Sequence, residues 1–200
     1  PVLVMEDPGG MFLQQYMEGR HLSIEQFLII ARRLAAAVGS LHRGNVSHRN
    51  LNPANILIDP YTHEVSITGF SAAAAVSGKS PAPDLPFAGN VPAYMSPEQT
   101  ALLGRVVDYR TDFYSLGIIF FELLTGRLPF PETDPARLVH AHLAKKPPSL
   151  RRFKPAVPPP LAAVVQKLLS KSPGERYQSA RVLVADLNRC RREWRRAGQI

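Results

Sequence analysis

The chain has 200 residues, 45% of them hydrophobic, and a formal net charge of +8. This length and apolar content support one substantial core and one domain, and are too little for two domains of that size. The single cysteine, Cys190, excludes an internal disulfide and points to a reducing, cytoplasmic setting.

No apolar run approaches the roughly 18–20 residues that a membrane span needs. The first residue is Pro1 rather than Met, so a longer parent polypeptide is expected. Much of the positive excess sits late, at Arg189, Arg191, Arg192, Arg195 and Arg196. A basic run can bind nucleic acid or an anionic membrane. Only Trp194 is interleaved there to stack on bases, so the reading is a solvated helix end leading into another domain, with no nucleic-acid partner.

In chain order, Val2-Leu3-Val4-Met5 reads as a short buried strand running into the turn Asp7-Pro8-Gly9-Gly10. Ser23 with Gln26 forms a capping-box pattern. Phe27, Ile30, Ala31, Leu34, Ala35, Val38 and Leu41 follow at helical spacing, and Gly44 is the stop. Pro53 bars a continuing helix. Asn55 to Ile58 reads as a strand, Asp59 to His63 as a turn, and Glu64 to Thr68 as the return strand of a small hairpin. Residues 71–92 are rich in Ala, Ser, Pro and Gly and read as a long loop, a length that is usually functional or mobile. Leu116, Ile119, Phe120, Leu123 and Leu124 make a strongly apolar helix ended by Gly126 and Pro129. Asp134-Pro135 opens another helix. After a proline-rich connector, Leu161 to Leu169 forms the next helix, stopped by Pro173-Gly174, and Ala180 to Leu187 forms the last.

The chemistry-bearing stretch is His48-Arg49-Asn50-Leu51-Asn52-Pro53-Ala54-Asn55. It resembles the catalytic loop of protein kinases, H-R-D-L-x-x-x-N, and like that loop it follows a long helix and precedes a hairpin. Further segments agree in order and spacing. Gly69-Phe70-Ser71 lies at the metal-binding D-F-G. Tyr94-Met95-Ser96-Pro97-Glu98 resembles the A-P-E segment, and Asp112 to Gly117 the D-x-x-S-x-G start of the central helix. Arg176 stands where the family keeps the arginine that pairs with the A-P-E glutamate, here Glu98. The resemblance implies an α+β, mainly α-helical fold: the C-terminal lobe of a protein-kinase-like fold, with a small β-hairpin at the catalytic loop. It implies the hinge and last strand of an N-terminal lobe at 1–10, the lobe itself at 11–190, and a basic linker at 191–200. Asn-Pro after the loop, Tyr-Met-Ser-Pro-Glu-Gln-Thr and the Asp-Leu-Asn-Arg-Cys ending resemble bacterial multidomain proteins that join a kinase-like domain to an ATPase module and a histidine kinase. The expected partners are therefore the N-lobe and downstream domains of the same polypeptide, and other signalling proteins.

Phosphoryl transfer is mostly positioning and charge neutralisation. The family's proton-accepting aspartate is Asn50 here. An amide has no basic site near neutral pH, and a positioned general base contributes about 10²–10⁴-fold. The magnesium-ligating D-F-G aspartate is Gly69, which has no side chain. Asn55 survives at the second metal position, but a neutral amide alone is a poor site for a hard dication. Asp59 and Asp84 are not placed to substitute. The loop lysine is Asn52, and Gly89-Asn90-Val91-Pro92 replaces the usual Gly-Thr. By resemblance, Met5, Glu6 and Asp7 align with the hinge that meets adenine, Leu57 with the pocket floor, and His48, Asp112, Glu98 and Arg176 with structural positions. Arg49 could read a phosphate on the activation loop, for which Ser77 and Ser80 are candidate sites, or make a plain surface or loop contact. His48 is not expected to bind metal, and His140 and His142 cannot share a helix face. The expectation is a catalytically impaired pseudokinase that acts as a regulatory or scaffolding module, with ATP as the ligand the family implies and magnesium in doubt. The alternative is an active or weakly active serine/threonine kinase.

Overall fold

The structure, a computed structural model, describes residues 9–76, 91–100 and 106–197. The N-terminal run Val2 to Met5, with Glu6 and Asp7, lies outside these residues, as do Ser77, Ser80, Asp84, Gly89 and Asn90.

Strand β1 (Met11–Phe12) leads directly into a one-turn helix, α1 (Leu13–Met17). Sequence periodicity misses both, because a pattern needs more residues than either contains. Helix α2 (Ile24–Arg43) starts at the Ser23 cap: Ser23 Oγ accepts from the Gln26 N–H at 3.1 Å, and Gln26 Oε1 from the Ser23 N–H at 3.0 Å. It stops at Gly44, as its spacing predicts. Two short strands follow, β2 (Val46–Ser47) and β3 (Ile56–Ile58). Then come β4 (Val65–Ile67) and β5 (Ala74–Ala75). β3 and β4 form the expected antiparallel hairpin, and β1 adds on the other side of β3, with Met11 opposite Ile58. β2 pairs with β5 in a separate ribbon, so the start of what reads from sequence as a structureless loop is a strand.

The core is helical. α3 (Arg110–Thr125) runs through its centre, buried from Thr111 to Phe121, and its Phe120 meets Phe27 of α2 edge-on at 5.5 Å. It begins well before the apolar run at Leu116, because its first turns carry buried polar residues, Thr111, Asp112 and Ser115, that all hydrogen-bond. Gly126 ends it in the left-handed conformation, φ 70°. α4 (Pro135–Ala144) opens on Asp134, whose Oδ1 accepts from the Arg137 N–H at 2.8 Å. α5 (Pro159–Leu168) ends before Pro173-Gly174, because Arg176 draws the carbonyls of Ser170 and Lys171 onto its guanidinium. α5 packs so closely on α3 that a Cβ at Gly117 would lie 2.9 Å from Leu168 and Leu169.

α6 (Ala180–Arg196) lies antiparallel against α2. Ala180 abuts Gly39, where a Cβ would lie 2.8 Å away, and at the other end Arg191 and Arg195 both donate to Glu25. The arginine-rich stretch expected as linker from 191 is thus helix through Arg196, and two of its arginines are ion-paired rather than free in solvent. No helix among the described residues is long and apolar enough to cross a membrane.

Candidate functional site

The loop after β2 is held from beneath by one carboxylate. Asp112, fully buried near the start of α3, accepts from the backbone N–H of His48 at 2.9 Å and of Arg49 at 2.8 Å. It also accepts from Ser47 Oγ at 3.2 Å and His42 Nε2 at 2.8 Å. Arg49 has φ 62°, a left-handed conformation that non-glycine residues rarely adopt. The paired N–H bonds to Asp112 hold it there, offsetting a cost of about 1–3 kcal/mol. The Arg49 side chain bends inward to donate to the Val107 carbonyl at 3.2 Å; burial pulls its pKa down, and Asp112 and Asp108 oppose that shift. His48 is fully occupied. Its Nδ1 accepts from the Asn50 N–H at 3.2 Å, which leaves the proton on Nε2 to donate to the Thr68 carbonyl at 2.7 Å. No ring nitrogen is left to ligate a metal.

Above this support lies a cluster of amides. Asn50 Oδ1 accepts from Asn52 Nδ2 at 3.3 Å and from the Val91 N–H at 3.4 Å. The Asn50 carbonyl accepts from Asn52 Nδ2 at 2.9 Å and Asn55 Nδ2 at 3.0 Å. Asn52 Oδ1 in turn caps the short turn Pro53–Asn55 through the Ala54 N–H at 2.9 Å. The asparagines therefore bond chiefly to the loop and to one another. Leu57 is half-buried in β3, opposite Phe12 and Ser66.

Gly69 closes the cluster with φ 75°. A Cβ there would overlap Asn55 Oδ1 and lie 2.5 Å from Asn55 Cγ. The space in which a residue-69 side chain would start is filled by the Asn55 carboxamide. The magnesium that the family implies does not fit the described residues here. Asn50, Asn52 and Asn55 supply neutral oxygens only, Asn55 donates an amide hydrogen to the Asn50 carbonyl, and Gly69 supplies nothing. Among the described residues no group of His, Cys, Asp and Glu could hold a metal ion. Asp59 is spent in the hairpin turn, accepting from the Tyr61 and Thr62 N–H groups at 2.7 and 2.9 Å.

Glu98 and Arg176 form a closed buried pair. Arg176 Nη1 and Nη2 meet the two oxygens of Glu98 at 2.6 and 2.8 Å, with both side chains fully buried. Its remaining hydrogens go to the carbonyls of Ser170, Arg110 and Lys171, and its Cζ lies 4.9 Å from the Tyr114 ring centre. All five guanidinium donors are therefore used.

Sequence reasoning misses the contacts of five connecting side chains. His42 is one, as a fourth donor to Asp112. Gln99 is another: its Nε2 donates to the Arg49 carbonyl at 2.6 Å, while its Oε1 accepts from the Ser96 N–H and Thr111 Oγ1. It thereby ties the catalytic loop to the segment carrying Glu98. The Tyr94 hydroxyl donates to Glu122 Oε2 at 2.6 Å; burial pushes the Glu122 carboxyl up, against the pull of that bond. Both line a shallow cavity of about 590 Å³ beside Asn52. The last is His142, buried on α4, which accepts from or donates to Tyr114 at 3.0 Å. Burial, with Lys171 beside it, lowers its pKa to about 4. His140, by contrast, faces solvent.

Comparison with known proteins agrees with this arrangement. The protein kinase domain family model matches residues 2–187. The chain is 34% identical to the serine/threonine-protein kinase PrkC of Bacillus subtilis over 186 residues, 92% of this chain and 28% of that protein. It is 36% identical to the serine/threonine-protein kinase A of Synechocystis over 198 residues, 92% of this chain and 37% of the relative. A shorter stretch of 106 residues is 52% identical to the hybrid signal transduction histidine kinase G of Dictyostelium discoideum, covering 52% of this chain and 3% of that protein. The chain thus spans well under half the length of each of these relatives. With the helical lobe, the loop clamped by Asp112 and the Glu98–Arg176 pair in place, the chain belongs to the protein kinase domain family.

Proposed function

We propose that this domain is a catalytically impaired pseudokinase that serves as a regulatory or scaffolding module within a larger signalling protein. The observation that carries this reading is the amide cluster. Asn50 stands at the proton-accepting position and Gly69 at the metal-ligating one, and the Asn55 carboxamide fills the space where a residue-69 ligand would begin. Two carboxylates that act on one transition state are absent together. The stretch that is 52% identical to a hybrid signal transduction histidine kinase supports a multidomain sensor of the two-component type as the parent.

On this reading Asn50 and Asn52 are degenerate catalytic-loop positions. Met5, Glu6, Asp7, Asn55, Leu57 and Gly69 border an adenine-nucleotide cleft completed by an N-terminal lobe. His48, Arg49, Glu98, Asp112 and Arg176 hold the loop in shape. Residues 1–10 carry the hinge and the last strand of the N-terminal lobe, and the basic run 191–200 leads towards a following domain. ATP would bind there without magnesium, in the cytoplasm. The second reading, a weakly active serine/threonine kinase, draws on the relatives named as such and on the intact Asp112 clamp.

The two are separated by radiolabelled phosphate transfer with the full-length parent, compared with an Asn50→Asp, Gly69→Asp double variant. The expected result is no transfer by the parent; transfer equal to that of the variant overturns the pseudokinase reading. A thermal-shift titration with ATP, with and without magnesium, is expected to show a shift that does not depend on the metal.

A further inference from the structure

Away from the cleft, the C-terminal half of α2 and the first turn of α6 enclose a groove of about 860 Å³, closed at one side by β4. Its floor is made of small or branched apolar side chains, Ala36, Ala37, Val65, Ala180 and Val184. Short side chains there leave room for another chain to approach the backbone closely. Its rim is cationic. Arg43 and Arg181 are both exposed, and neither has a carboxylate partner among the described residues. Arg33 alone is neutralised, by Glu64. The first turn of α6 adds to this positive field, since the Ser179 side chain makes no cap bond to it.

The inner wall is the informative part. His42 and Tyr109 line it, with their rings edge-on at 5.2 Å. The Nε2 of that same His42 bonds Asp112, the carboxylate that holds the His48 and Arg49 backbone. One side chain separates the groove from the support of the catalytic loop.

We propose that this groove docks an acidic segment of a partner protein, anchored by apolar residues on the alanine and valine floor, and that occupancy acts on the catalytic loop through His42. Charge complementarity selects the partner: a segment with carboxylates on either side of its apolar anchors satisfies Arg43 and Arg181, and a basic one is repelled. The inference stands whether or not the cleft transfers phosphate.

The test is selection of random displayed peptides on the full chain, followed by affinity measurement on an Arg43→Glu, Arg181→Glu variant and on Ala36→Trp, which blocks the floor. All three positions are exposed, so the fold is retained, and a melting curve checks it. Selected peptides are expected to carry Asp or Glu beside Leu, Ile or Phe, to lose at least about tenfold in affinity on either variant, and to move the His42 ring signals in NMR. No enrichment, enrichment without acidic bias, or equal affinity for the charge-reversed variant overturns the proposal. Unmoved His42 signals overturn the coupling. Binding to phosphatidylserine vesicles, or self-association, that is lost in the same variant would assign the groove to a lipid surface or a second copy instead.

Discussion

The buried pair Glu98–Arg176 and the amide cluster Asn50–Asn52–Asn55 lie in one lobe and have been treated very differently. In the first region every charge is matched, and all the guanidinium hydrogens of Arg176 have acceptors. In the second, of the two positions where the family places carboxylates, one holds the neutral Asn50, bonded within the loop and to Asn52 and Asn55, and the other holds Gly69, with no side chain. A charge that supports the fold cannot be dropped cheaply, because its partner is left buried and unpaired. A charge that serves chemistry can be replaced by an amide of similar shape at little cost to stability. The loop's shape is kept by Asp112 from below, so the residues above it are free to change.

This contrast can be broken first at its strong end. Arg176→Ala should cost about 3–5 kcal/mol in urea unfolding, the cost of stranding a buried carboxylate; a loss under about 1 kcal/mol would mean that water reaches Glu98. Asp112→Ala should cost about 2–4 kcal/mol, since it strands buried backbone donors at His48 and Arg49. It should also raise amide exchange at those two residues and leave α5 unaffected.

Acid sharpens the comparison further, because the amides do not titrate. His142 has a pKa near 4 against an ordinary value of 6.5. Its folded-state value is the lower one, so the unfolded chain binds the extra proton between these two values. Stability from this group is full above pH 6.5 and is lost as pH falls towards 4, by about 2–3 kcal/mol. His142→Gln should flatten that part of the pH–stability curve, while Asn50→Ala leaves its slope unchanged. The smallest effect belongs to the cleft. Gly69→Asp alone should cost about 1–2 kcal/mol, because its Cβ meets the Asn55 carboxamide. In a double-variant cycle, Asn55→Ala should recover most of that loss.

Much of this was legible in the residues. The Ser23–Gln26 cap, the Gly44 stop and the Asp134-Pro135 start are local rules satisfied by neighbours in sequence. The motifs from His48 to Arg176 carried the fold by resemblance. What was not legible depends on residues far apart. His42 reaches Asp112 across 70 positions, and Gln99 reaches Arg49 across 50. The filling of the Gly69 space by Asn55 is a choice of rotamer that no motif encodes. The two-residue strands β2 and β5 are too short for any period, and their pairing follows from where α2 and the loop end.

Glu25, at the first turn of α2, is gripped by Arg191 and Arg195 from the last turns of α6, while Gly39 and Ala180 lock the opposite ends. Two antiparallel helices fastened at both ends make a load path. Tension applied beyond Arg196 would act in shear along the whole α2–α6 seam rather than peel α6 away turn by turn, and the Glu25 clamp would take it up first. That clamp is partly exposed and therefore weakened by salt, so ionic strength sets how stiffly this helix transmits a pull to the start of α2.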